Sequence, residues 1–157
     1  MSLSDAAGPL HAYLRGTGRD GRGRTMDDVL AFSDDALEHI HDYIQWLFPL
    51  PTRSMAQPSA PMLTGEETSA IRSDRRALTN LHRAADCMLG FYQRTDQWLS
   101  WSDHNHLRIS RIIQSLNILA GESAAREFYT GIMARCLAAG SPVNPGNMDY
   151  WTRALRG

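Results

Sequence analysis

Apolar residues recur at three- and four-residue steps over most of the chain, the spacing of helices that bury one face. The clearest case is Asp34 to Leu50, DDALEHIHDYIQWLFPL, where Leu37, Ile40, Ile44, Leu47 and Phe48 form one stripe. This predicts a single helix, capped by Ser33 and stopped by Pro49 and Pro51. A second strong helix is predicted from Asp103 to about Ala120, with Ile109, Ile112, Ile113, Leu116 and Leu119 as its stripe and Gly121 just past its end. Weaker stripes predict helices around Leu10–Leu14, Val29–Phe32, Leu78–Tyr92, Ala125–Cys136 and Met148–Leu155. No segment alternates with period two. The expected fold is all-α: one compact multi-helix domain over residues 1–157, with no sheet.

Local signals refine the boundaries. Thr25 and Ser33 each precede a pair of aspartates, as N-caps do where the helix dipole favours negative charge. Thr64-Gly65-Glu66-Glu67 has the form of a capping box, and Ser73 is expected to cap the following helix. Asn144-Pro145 reads as a cap followed by proline at the first helical position. Residues 51–63, with Pro51, Pro58 and Pro61, form an irregular connection. Arg15 to Arg24 contains no apolar residue and alternates glycine with arginine, so it is expected to be a solvated loop able to fold over a site. Its Gly16-x-Gly18-x-x-Gly21 matches a dinucleotide fingerprint in form only, because no strand precedes it.

Composition adds bounds rather than a function. The 157 residues are 43% hydrophobic and 21% charged, which is a globular composition. The formal net charge of −1 provides no global field for nucleic acid or anionic membrane, so no nucleic-acid partner is expected. No apolar run is long enough to span a bilayer, and MSLSDAAGPL lacks the basic and apolar regions of a signal peptide. The expected location is cytoplasmic. Cys87 and Cys136 match no zinc spacing and are expected to be buried, reduced thiols. No cofactor is implied.

Polar chemistry concentrates on one face of the second strong helix, where His104, Asn105, Arg108 and Arg111 point to the same region. Guanidinium forks suit a carboxylate or a phosphate. The competing structural role is ion pairing with carboxylates of another helix, such as Asp34, Asp35 or Asp42. His41 and Gln45 lie four apart at the border of the first stripe, beside Trp46. His39-x-His41 and His104-x-His106 invite a metal, but residues two apart on a helix face different ways, so neither pair chelates alone and no metal centre is expected. Trp46, Trp98, Trp101 and Trp151 are expected in the core or at its edge. The chain has no G-x-S-x-G, H-E-x-x-H, P-loop or C-x-x-C motif, which leans against an enzyme.

Two stretches, HDYIQWLFPL (41–50) and HNHLRISRIIQSL (104–116), together resemble the signature blocks of the opioid growth factor receptor conserved region. Met88-Leu89-Gly90-Phe91-Tyr92, the Gly-Arg element before Thr25, and Tyr150-Trp151 resemble that family too, so the likeness covers roughly residues 10–155. His106 and Ser110 depart from it, standing where an asparagine-like residue and a threonine are usual. The resemblance implies an all-helical fold and singles out His41, Gln45, Trp46, His104, Asn105, Arg108 and Arg111. It is to a short, microbial-type member without the long repeat-bearing C-terminal region of the animal proteins. Those are described as receptors for the opioid peptide Met-enkephalin, and that activity is not carried over. The expectation is a non-enzymatic domain that binds a small anion or a peptide through these seven residues. The alternatives are an enzyme of unrecognised type with His41 or His104 as general base, and a protein-interaction module using exposed aromatics. No oligomeric state follows from the sequence.

Overall fold

A computed structural model describes residues 5–157. Among these residues there are nine helices and no strand: α1 (Pro9–Leu14), α2 (Met26–Leu30), α3 (Asp34–His39), α4 (Ile44–Leu47), α5 (Gly65–Arg72), α6 (Arg75–Arg94), α7 (His104–Leu119), α8 (Glu122–Ala138) and α9 (Pro145–Ala154). No helix among them is long and apolar enough to cross a membrane. The chain divides into two compact units, up to Ala84 and from Ala85 onward, with the boundary inside α6.

The first unit is a set of short helices around Leu10, Tyr13, Leu14, Val29, Leu37, Tyr43, Leu47, Phe48, Ile71 and Leu81, all buried. The helix expected over residues 34–48 is two helices. Ile40 leaves α3 in extended backbone (φ −91°, ψ 129°), and the chain turns before α4 starts at Ile44. Leu37, Ile44, Leu47 and Phe48 of the apolar stripe are buried while Ile40 at the break is half-buried, and the Tyr43 hydroxyl donates to the Leu37 carbonyl at the end of α3. That bond holds the break closed and satisfies a buried carbonyl that a continuous helix would have used.

The expected capping box at Thr64 is only half formed. Thr64 Oγ1 accepts the Glu67 N–H at 3.1 Å, but the Glu67 carboxylate turns to a distant helix. Its Oε2 accepts the N–H groups of Leu10 and His11 at 2.8 and 3.1 Å. Glu67 therefore caps α1, whose own N-cap residue, Gly8, has no side chain to do so. A Cβ on Gly8 would lie 2.5 Å from Glu67 Cδ, so this approach requires glycine. The cap of α6 also moves by one residue. Ser73 closes α5, and Asp74 Oδ1 accepts the N–H groups of Arg76 and Ala77 at 3.0 and 3.2 Å.

In the second unit α7 packs on α8 and α9. Ile109, Ile112, Ile113 and Leu116 of α7 are fully buried, as are Ile132, Cys136 and Trp151. Gly131 of α8 leaves room for Leu89, whose Cδ1 would lie 2.8 Å from a Cβ there. Gly121 sits at φ 103°, which suits the reversal between α7 and α8 and favours glycine. Both cysteines are free thiols, but only Cys136 is buried; Cys87 is half-buried. Trp98 and Trp151 are core residues, whereas Trp101 is 69% exposed and belongs to the surface.

Candidate functional site

In the first unit the Gly-Arg loop is exposed at Gly16, Thr17, Arg19, Gly21, Arg22 and Gly23, as expected of a solvated loop, and is ordered around a buried acid. Asp20 accepts the N–H groups of Arg22 and Arg24 at 2.9 and 3.0 Å and the Arg24 Nε–H at 2.7 Å. Arg24 reaches on to Asp42 Oδ1 at 2.9 Å and lies over the Phe32 ring. The loop passes close to Trp46, since a Cβ on Gly21 would be 3.9 Å from Trp46 Cζ2. Trp46 is half-buried and meets Tyr13 edge-on, with ring centroids 5.5 Å apart. Burial, reinforced by the charge of Asp20, pushes the Tyr13 hydroxyl well above the usual tyrosine range, and Arg24 only partly offsets this. Tyr13 is therefore a neutral donor at any physiological pH.

His41 and Gln45 do not share a helix face, because the chain turns between α3 and α4. His41 is exposed within the turn, and Gln45 is 4% exposed on α4. Gln45 Oε1 and the Tyr13 hydroxyl are both buried without a hydrogen-bond partner among the described residues. Two such atoms in one small unit are unusual, since buried polar groups are nearly always paired.

In the second unit α7 carries the other four predicted residues. Asp103 caps it, with Oδ2 accepting both the N–H and the side-chain Nδ2–H of Asn105 at 2.9 Å. Asn105 is buried; its Oδ1 accepts from the Tyr92 hydroxyl at 3.0 Å and from Arg108 Nη1 at 3.4 Å. Arg108 is 6% exposed. Burial lowers the Arg111 pKa from its ordinary value to about 10, so the guanidinium stays charged in a dehydrated setting. His104, at the open end of the helix, is exposed and stands 3.7 Å from Asp103 Oδ1, beyond a hydrogen bond. Asn105 and Arg108 are thus joined in the interior, Arg111 is half-buried one turn further on, and His104 is exposed.

His106 was not among the predicted site residues, yet it is the polar hub of this unit. Its Nε2 lies 2.7 Å from the Trp98 carbonyl and its Nδ1 2.7 Å from Asn147 Nδ2. Its own carbonyl accepts the Trp151 indole N–H at 2.9 Å. A carbonyl on one ring nitrogen and an amide donor on the other select the neutral Nε2–H tautomer. Its partners lie 8 and 41 residues away, so only the burial of residue 106 on the core side of α7 could have flagged it.

Beside α7 a cleft of about 320 Å³ is lined by Ser102, Asp103, His104, His106, Leu107, Ser110, Asn147 and Tyr150. No arginine lines it. Leu107 and Tyr150 on its walls are 77% and 59% exposed.

The sequence profile of the opioid growth factor receptor (OGFr) conserved region matches residues 20–96. This span includes HDYIQWLFPL and the Met88–Tyr92 block; the α7 block lies outside it. Among curated proteins the chain is 34% identical to the human opioid growth factor receptor over 85% of its own length. It is 37% identical to the mouse receptor over 85%, and 35% identical to the mouse opioid growth factor receptor-like protein 1 over 78%. The chain spans about a quarter of these relatives: 23%, 25% and 30% of their lengths. No solved structure matches it.

Proposed function

The chain belongs to the family defined by the opioid growth factor receptor conserved region, and from that premise we propose that it is a non-enzymatic binding module for a small anion or a peptide carboxylate. The recognising groups on α7 are His104, Asn105, Arg108 and Arg111. The observation that carries this is two arginines one turn apart on α7, Arg108 buried and Arg111 half-buried, with burial lowering the Arg111 pKa to about 10. An arginine held where burial depresses its pKa gains more from an incoming anion than a solvated one does. Asn105, fixed by Asp103 and Tyr92, presets the position of Arg108. Preset donors lose less entropy on binding. The name of the relatives, receptor, is compatible with a binding role, and a peptide's terminal carboxylate has the planar geometry that an arginine fork fits.

The test is a thermal-shift screen with inorganic anions, dicarboxylates, nucleotides and short peptides in free-acid and C-terminally amidated forms. A ligand that binds the folded state raises the midpoint. The expected result is a shift with free-acid peptides or small anions that amidation removes and that Arg111→Lys weakens. Lysine keeps the charge and loses the fork. An equal shift for free-acid and amidated peptides, or for wild type and Arg111→Lys, would sink the proposal.

A second reading, a protein-interaction module, has its own observation. Trp101, Leu107 and Tyr150 are large exposed side chains in the second unit, and two of them wall the 320 Å³ cleft. If this is the working surface, Leu107→Ser abolishes capture of a partner while the anion response stays intact.

A further inference from the structure

One groove of the first unit is lined by none of the seven residues discussed above. It has a volume of about 500 Å³ and is lined by Arg15, Gly16, Thr25, Met26, Asp27, Arg75, Arg76, Thr79, Asn80 and Arg83. Four guanidiniums line it with one carboxylate, Asp27, and a second carboxylate, Asp74, pairs with Arg15, which leaves two positive charges uncompensated on a chain whose net charge is −1. Two of the four are fixed by the fold. Arg15 Nε sits 3.4 Å from Asp74 Oδ2. Arg83 is held between Asn80 Oδ1 at 3.0 Å and Asp27 Oδ1 at 3.1 Å. The other two, Arg75 and Arg76, are exposed and make no ion pair among the described residues, so their charge faces the groove uncompensated. Asn80 is itself anchored, its Nδ2 donating to the Leu14 carbonyl at 2.8 Å.

Gly16 lines the groove at φ 87°, a backbone conformation that favours glycine. Asp74 already caps the first N–H groups of α6, so the groove's affinity for anions comes from its side chains and not from a bare helix end. No aromatic ring lines the groove, so it offers no platform on which a nucleobase could stack. The excess of positive charge calls for a ligand with several negative charges in a small volume.

We propose that this groove is a binding site for a compact polyphosphorylated small molecule, with Arg75 and Arg76 as the gripping cations and Arg15 and Arg83 as the fixed walls. Phosphate oxygens accept several guanidinium hydrogen bonds at once, and two or more phosphates match the surplus charge better than a single carboxylate does. The site is independent of the α7 face, and either can fail without the other.

The experiment is isothermal titration of the full chain with inorganic tripolyphosphate at low ionic strength, repeated in high salt and with sulfate as competitor. Wild type should bind, and binding should weaken in high salt because the groove is solvated. The Arg75→Ala/Arg76→Ala double variant should lose affinity by at least about tenfold while its thermal midpoint stays put, since neither side chain holds an ion pair in the fold. Asp27→Asn should tighten binding. Vesicles containing phosphatidylinositol bisphosphate separate the two sources of this chemistry. Co-sedimentation lost in the double variant assigns the site to a lipid headgroup; binding of soluble tripolyphosphate without vesicle binding assigns it to a free ligand. No heat with tripolyphosphate, equal binding by the double variant, or full displacement by equimolar sulfate overturns the proposal.

Discussion

Glu67 shows how much one side chain can settle when its partners are distant. It accepts two amide hydrogen bonds from α1, 57 and 56 residues away, at a position where Gly8 leaves no room for a Cβ. Glu67→Ala strands both N–H groups in a buried setting and should cost about 1–3 kcal/mol in urea unfolding. Gly8→Ala should also destabilise, by roughly 1–3 kcal/mol from overpacking against the carboxylate. Because the added methyl clashes with Glu67 itself, the two losses should not add, and the double variant should be less destabilised than their sum. Strict additivity would show that the clash is relieved elsewhere. The half-used capping box at Thr64 explains why the sequence was misleading here. The local pattern specifies that Thr64 caps α5, but nothing local states that the glutamate is needed 57 residues away.

Asp74 gives a prediction in pH. Burial raises its pKa, but the hydrogen bonds from His11 and the Ala77 N–H, with the charge of Arg15, outweigh this and hold it below the ordinary 3.8. A carboxyl whose pKa falls on folding binds its proton more weakly in the folded state. Its stabilising contribution is therefore complete above the unfolded value and is lost as pH drops through the folded one. Stability should decline below about pH 4, and Asp74→Asn should flatten that acid limb while lowering stability at neutral pH. An acid limb unchanged in Asp74→Asn would show that other carboxylates set it.

At the scale of elements, the helix starts at Thr25, Ser33 and Asn144 were legible because a cap bonds a residue three positions on. The same holds for α7, whose stripe of Ile109, Ile112, Ile113 and Leu116 is buried as expected. The turn at residues 40–43 was not legible. Leu37, Ile40, Ile44 and Leu47 keep a helical spacing through it, so periodicity cannot tell one helix from two that bury the same side. What breaks the helix is tertiary: the Tyr43 hydroxyl on the Leu37 carbonyl and the pairing of Asp42 with Arg24. The loop at 15–24 is exposed over most of its length, as its lack of apolar residues implied. Its internal order was not legible: Asp20 organises it through bonds two and four residues away.

The α7 hub makes an element-level prediction as well. His106 joins α7 to α9 through Asn147 and Trp151 and to the Trp98 segment through its carbonyl contact. His106→Leu keeps the volume but leaves the Asn147 amide and the Trp98 carbonyl without this partner. A loss of about 2–4 kcal/mol is expected, together with a change in near-ultraviolet tryptophan signal. A loss below about 1 kcal/mol would mean that the neighbouring packing, not the polar hub, joins these elements.

For the whole molecule, the all-helical class was legible from periodicity alone, and the family from two short blocks now placed on α4 with its flanks and on α7. The predicted site residues fall into two environments. His41 lies exposed in a turn while Gln45 is buried with an unpaired oxygen. Asn105 and Arg108 are buried and hydrogen-bonded, Arg111 is half-buried, and His104 is exposed. Sequence marked α7 because like-charged arginines three apart with no acid in the same helix are costly without a partner or a purpose. It missed the basic groove because Arg15, Arg75, Arg76 and Arg83 come together only through folding.

The most direct test of anion recognition by α7 is the thermal-shift series on wild type, Arg111→Lys and the Arg75→Ala/Arg76→Ala double variant. The account predicts that a free-acid peptide or small anion raises the wild-type midpoint, that Arg111→Lys loses most of this shift, and that the double variant keeps it. A wild-type midpoint unmoved by every anion in the panel, or the same shift in Arg111→Lys as in wild type, would contradict it.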